Sequence, residues 1–235
     1  MTAPGFHLRC RVDLPPDVRE LACQGLDLQH DDHGVPLWLT DRCEPGLLRA
    51  GLAAESAGLV EIVAPLADKF RALRQSCPAD GLFLLMTTRT VHDFDLAAPL
   101  SVAWRSRYDF ADDQAMDMEL ALQEALANAV LHGNLGLDSS WRAKANLRDF
   151  AILQRERLDN PEYGLRMVAV ASYRQGDCLQ VIVTNEGPGF DWLRAAAPQK
   201  LQSDCARGLS LIHRLSLETE FSDNGCQISM LLPIR

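Results

Sequence analysis

The sequence has no C-x-x-C pair, no apolar run of membrane-spanning length and no excess of basic residues, and each gap closes off a class of function. Seven cysteines (Cys10, Cys23, Cys43, Cys77, Cys178, Cys205 and Cys226) stand singly. An odd, unpaired set reads as reduced thiols and not as a disulfide framework. No signal-peptide pattern opens the chain, so the expected location is cytoplasmic. Apolar stretches fall well short of the ~20 residues a bilayer crossing needs, and no membrane partner is expected. A formal net charge of −9 argues against direct nucleic-acid binding, which calls for a basic surface. What is present is a globular composition: 235 residues, 47% hydrophobic and 23% charged, with room for one large domain or two small ones.

The most informative stretch is ELALQEALANAVLHGN, Glu119 to Asn134. Read as a helix, it places Met118, Leu122, Ala125, Leu126, Ala129 and Val130 on one apolar face. Glu124 and Asn128 are four residues apart and therefore stack on the opposite side. A carboxamide oxygen is a hard ligand suited to Mg²⁺, and a carboxylate beside it can take a proton from a hydroxyl or a water. Taken alone, an E-x-x-x-N pair reads as an ordinary solvated helix face.

Two later segments change that balance. VIVTNEGPGFDW (Val181 to Trp192) reads as a strand running into a glycine-containing loop, and CARGLSLIHRL (Cys205 to Leu215) reads as the opening of a helix. Helix with E-x-x-x-N, strand ending in E-G-P-G-F, short loop, then R-G-L-x-L-I: this ordered set resembles the GHKL (histidine-kinase-like) ATPase superfamily over roughly the last 135 residues. EALANAVLHGN is most similar to the anti-sigma factor serine kinases within it. The resemblance implies an α/β sandwich of the GHKL (Bergerat) type, a mixed sheet with helices on one face and nucleotide held between. It implies ATP and Mg²⁺ as cofactors, with Asn128 holding the metal and Glu124 activating a serine hydroxyl. It further implies nucleotide contacts from Asn128, His132, Asn185, Gly187, Gly189, Phe190, Arg207, Gly208, Leu209 and Cys226.

Two positions depart from the family pattern. Where the family has an aspartate that takes the adenine amino hydrogen, this chain has Asn185, with one acceptor oxygen in place of two. The bond survives without its charge assistance, a loss of ~1 kcal/mol. The added NH₂ has the polarity to meet a ring nitrogen or guanine O6, so base selection is open to change. Cys226 stands where family members often have Thr. Gly187 and Gly189 let the backbone approach the base and let the following segment, Asp191 to Ala206, swing as a lid. Arg207 and the first amides of the helix it opens suit phosphates.

The N-terminal part, residues 1–95, is expected to be a small α/β unit distinct from an ATP-binding domain over 96–235. Phe6 to Leu14 alternates as a strand, and Asp17 caps a helix to about Gly25. Pro36 to Thr40 reads as a strand, Leu47 to Gly58 as a helix, Leu59 to Val63 as a strand, and Leu66 to Gln75 as a helix. HDDHG (His30 to Gly34) has metal-ligating residue types, but turn chemistry explains it as well. Asp41 in TDRCEPG loosely resembles the D-x-x-x-P-G of response-regulator receivers, without the acidic pair such a site needs. Gly81 to Thr90 is a strongly apolar strand, and in Pro99 to Phe110 the residues Val102, Trp104, Ser106 and Tyr108 alternate on one face. His92-Asp93 precedes Asn128 too closely for the dimerising hairpin of an autophosphorylating histidine kinase.

After Gly133 a segment with a helix capped at Ser139 or Ser140 runs to about Leu158 and stops at Asn160-Pro161. It is longer than the simpler serine kinases carry, and reads as a solvated face or as a docking surface. Leu165 to Tyr173, Cys178 to Thr184 and Gln227 to Leu232 complete the sheet.

The resemblance implies a serine protein kinase of a bacterial partner-switching system. Its partners would be an antagonist protein of the anti-anti-sigma type, a sigma factor or another regulator, and a second copy of the chain. The competing reading is a protein-binding module on the same fold, weak toward nucleotide because of Asn185 and Cys226. A third is an ATPase whose nucleotide state gates the N-terminal unit.

Overall fold

The computed structural model describes residues 7–11, 14, 16–26, 29–30, 35–63, 65–137, 147–189 and 204–234. The first third alternates strand and helix: β1 (His7–Arg11), α1 (Pro16–Leu26), β2 (Gln29–His30), β3 (Val35–Thr40), α2 (Pro45–Gly51), β4 (Gly58–Glu61), α3 (Asp68–Ser76) and β5 (Leu82–Thr87). There follow α4 (Thr88–Asp93), α5 (Ala97–Arg107), α6 (Asp112–Ala127) and a π-helical turn (Asn128–Asn134). The remainder is α7 (Leu147–Asp159), the single turn α8 (Pro161–Gly164), β6 (Met167–Gln175), β7 (Cys178–Asn185), α9 (Asp204–Leu215), β8 (Glu218–Ser222) and β9 (Gln227–Pro233).

All nine of these strands form one sheet, in the order β2-β1-β3-β4-β5-β6-β7-β9-β8. The first five pair in parallel, in the 2-1-3-4-5 order of flavodoxin-like folds. From β5 onward every pairing is antiparallel. The junction is β5 itself, whose run LFLLMT is buried at every position, as a central strand covered on both faces must be. Its alternate residues serve two cores. Leu82, Leu84 and Met86 face Leu100, Trp104, Leu122 and Ala125 of α5 and α6. Phe83 and Leu85 face Phe70 and Leu73 of α3, with Met167, Ala169 and Ile182 of β6 and β7 in the same cluster.

The expected α/β sandwich is therefore present, with α5, α6 and α9 packed on one face of the antiparallel strands. The other face is covered by α3 from the N-terminal part. Three expected elements are corrected. Residues 99–107 belong to a helix, not an alternating strand: Ala97, Leu100, Ser101 and Trp104 are buried at helical spacing, while Val102 is 68% exposed. The strand over Gly81 to Thr90 ends at Thr87, whose hydroxyl accepts from the Thr90 amide and caps α4. The helix expected over Leu47 to Gly58 also stops early, at Gly51.

At the carboxyl end of the parallel strands Asp41 is exposed, whereas Glu61 is buried. The Glu61 carboxylate accepts from the Thr87 amide (2.9 Å) and from the hydroxyls of Thr87 (3.1 Å) and Thr90 (3.0 Å). The loop 31–34 and the cap position Ser139–Ser140 lie outside the described residues. The described part of the insert, α7, is docked: Arg157 donates to the Leu135 carbonyl and stacks on Tyr163, with Arg166 also over that ring.

Candidate nucleotide site

The helix that bears the E-x-x-x-N pair begins where its sequence directs. The Ala111 amide donates to Gln114 Oε1 (3.1 Å), and Asp112 and Asp113 oppose the positive end of the helix dipole. Met118, Leu122, Ala125, Leu126, Ala129 and Val130 are all buried, the predicted stripe in full. Asn128 sits where the helix widens into the π-turn, and the Leu135 amide reaches back five residues to the Val130 carbonyl.

Glu124 and Asn128 meet the start of α9. A Cβ placed on Gly208 would lie 2.4 Å from Glu124 Oε2 and 3.8 Å from Asn128 Nδ2. A side chain at 208 would push the Glu124 carboxylate from this position. Asn128 Nδ2 is buried and makes no hydrogen bond, an arrangement that costs free energy unless a ligand completes it. Beside it opens a small pocket whose lining includes Asn128, Ala129, Asn185, Leu209, Gly225 and Cys226. A concave space with convergent polar groups and an orphaned N–H donor suits a ligand that brings acceptor oxygens, as the phosphates of a nucleotide do.

Asn185, at the end of β7, is buried and held at both ends of its carboxamide. Its Nδ2 donates to the Cys226 carbonyl (3.0 Å) and its Oδ1 accepts from the Gly187 amide (2.9 Å). The Cys226 thiol donates to the Gly187 carbonyl (3.1 Å), and burial raises its pKa above the ordinary thiol value. Gly133 packs directly on this carboxamide, since a Cβ there would stand 2.6 Å from Asn185 Oδ1. Gly189 has φ 80° and lies against the Asn224 carbonyl, 2.2 Å from where a Cβ would be.

The structure thus brings Asn128, Asn185, Leu209 and Cys226 to one pocket, with Glu124, Gly187 and Gly208 against it. His132 is turned to a structural contact, its Nδ1 2.6 Å from the Leu137 carbonyl oxygen. Arg207 is exposed on α9. Phe190 and residues 191–203 lie outside the described residues.

Two residues escaped sequence reasoning. Asn134 is fully buried: it donates to Thr88 Oγ1 (2.7 Å) and the Met167 carbonyl (3.0 Å) and accepts from the Glu186 amide (2.8 Å). It ties the π-turn to the β5–α4 junction and to β6 and β7. Its signal was available, as a polar residue ending an apolar helical run. Lys69 donates from α3 to the Asn185 carbonyl (2.6 Å), and no local pattern announces that contact.

Comparison with known proteins adds one result. The family model for the histidine kinase-like ATPase domain matches residues 90–232. No curated protein shows significant similarity to the chain. The match spans more than half of the chain, in the same helix–strand–helix order that builds the pocket, and the chain belongs to the histidine kinase-like ATPase domain family of the GHKL superfamily.

Proposed function

We propose that this chain is an ATP-dependent protein serine kinase of a partner-switching system. Its substrate in this reading is a small antagonist protein of the anti-anti-sigma type, and the regulated partner is a sigma factor or a similar regulator. One observation carries the reading: a stacked Glu124–Asn128 pair faces the glycine opening of α9, with the Asn128 Nδ2 donor buried and unsatisfied at the pocket, where a phosphate oxygen would complete it. A scaffold without chemistry has no use for that orphan, which costs it ~1–3 kcal/mol.

Each residue then has a physical task. Asn128 would hold Mg²⁺ through its amide oxygen, and the ion would neutralise charge on the phosphates. Glu124 accepts the proton of the substrate serine as its oxygen attacks, which asks only that the carboxylate lie within hydrogen-bond reach of that hydroxyl. Leu209 and Ala129 supply apolar walls for the base. Asn185 Oδ1 retains a lone pair beyond the one given to Gly187, sufficient for one amine hydrogen.

Calorimetric titration with ATP, ADP and GTP, with and without Mg²⁺, tests the first step. Micromolar binding of ATP strengthened by Mg²⁺ is expected; no binding of any of the three removes the kinase reading. Glu124→Gln should keep ATP affinity within about threefold and lower phosphotransfer by ~10²–10⁴.

A second reading draws on a different observation. The Asn185 carboxamide already has a protein partner at each end. That economy suits a protein-binding module that has relinquished nucleotide. Partner affinity that does not respond to ATP would favour it.

A further inference from the structure

Every residue assigned to the pocket so far lies between positions 124 and 226, yet one side chain from the N-terminal part reaches the same place. Lys69, in the first turn of α3, donates to the Asn185 carbonyl at 2.6 Å and sits 3.1 Å from Asp223 Oδ2. These acceptors belong to two different segments. Asn185 ends β7, and Asp223 opens the 3₁₀ turn Asp223–Gly225 between β8 and β9. Lys69 thereby bridges the two backbone segments that deliver Asn185 and Cys226 to the pocket.

Both segments need that bridge. Asp223 and Asn224 have φ of 52° and 53°, consecutive non-glycine residues in left-handed conformation, which persist only where neighbours over-determine them. The carboxamide of Asn185 presents opposite polarities on its two sides, so a half-turn replaces an acceptor with a donor. A carboxylate would be indifferent to that half-turn. The two bonds that fix the orientation, to the Gly187 amide and the Cys226 carbonyl, both come from segments that Lys69 ties. The lysine is itself anchored: Phe70, next to it, is fully buried in the core that α3 shares with Met167, Ala169 and Ile182.

We propose that Lys69 is a positioning residue for base recognition: it locks the orientation of the Asn185 carboxamide and so couples purine selectivity to the seating of α3. The inference rests on the nucleotide-binding reading above. ATP offers an amine at the purine 6-position, whereas inosine triphosphate offers a carbonyl oxygen there. A fixed Oδ1 acceptor favours the first, and a carboxamide free to turn serves either.

The test is calorimetry with both nucleotides on the wild type, Lys69→Met and Lys69→Arg, with melting temperatures alongside. The wild type should prefer ATP by about tenfold, the worth of one well-made hydrogen bond. Lys69→Met should bring the ratio close to one, and Lys69→Arg should restore most of the preference. Loss of fold alone weakens both nucleotides together, so an unchanged ratio in Lys69→Met overturns the proposal whatever happens to the separate affinities. Wild type binding both equally overturns it too, while wild type binding neither removes the nucleotide reading itself. If Lys69→Met does not fold, Asp223→Asn breaks the ion pair at a half-exposed site, and the same ratio should fall there or the proposal fails.

Discussion

Asn185 shows how much a single atom decides. Its Nδ2 donates to the Cys226 carbonyl, a bond that the carboxylate usual in the family is unable to make. Asn185→Asp therefore sets oxygen against oxygen in a buried position, and should lower the unfolding free energy without nucleotide by ~1–3 kcal/mol, read by urea denaturation. Thiols supply a second prediction. Burial pushes Cys43 up to about 12, with Glu61 and Glu44 adding to the shift, and burial pushes Cys77 up to about 11. A raised folded-state pKa means stability that is complete below the unfolded thiol value near 9 and is lost as pH rises through the folded one. Unfolding free energy should accordingly decline from about pH 9 toward 11, and Cys43 should resist alkylation at pH 8 until the chain unfolds. Glu124, Asn128 and Gly208 were legible in sequence because their spacing carries the chemistry. The carboxamide lock on Asn185 was not, since its partners lie on a different strand and in the following turn.

At the scale of elements, the π-turn after α6 is the hinge of the site. It swings Gly133 against the Asn185 carboxamide and buries Asn134 among three partners. Gly133→Ala has nowhere to place its methyl, with Asn185 Oδ1, Cγ and Nδ2 all within 2.9 Å of it. The substitution should cost ~1–3 kcal/mol of stability and weaken ATP by about tenfold or more, measured by thermal unfolding and calorimetry. The core stripe of α6 was plain from its periodicity, because buried positions recur at helical spacing. The period-two reading of α5 failed for a reason visible in the same residues. Ala97, Leu100, Ser101 and Trp104 fit a helical face, and the buried Trp104 indole N–H donates to Ser172 Oγ at 2.8 Å on the sheet face that α5 covers. A short apolar run carries both periods, and only the strand it packs against selects one.

For the molecule as a whole, the sheet runs unbroken across position 95. β6 pairs with β5 over six residue pairs, and α3 covers Met167, Ala169 and Ile182. A fragment of residues 96–235 leaves an unpaired apolar edge and an uncovered sheet face. It should lack a cooperative melting transition and bind apolar dyes, whereas the full chain should unfold in one step; circular dichroism checks both. If the fragment melts cooperatively, residues 1–95 form a separable unit.

The sequence by itself determined the elements that chemistry marks: the helix with Glu124 and Asn128, the strand ending in Asn185 and the glycine opening at Gly208. Their residue types and spacing are local properties, written in consecutive positions. Only the tertiary structure decided that β5 joins a parallel and an antiparallel half into one sheet, and that Asn134 and Lys69 serve the site. Lys69 lies 116 positions from Asn185, and no periodicity encodes a contact of that span. Such contacts exist because buried polar groups must find partners, and packing determines which ones are within reach.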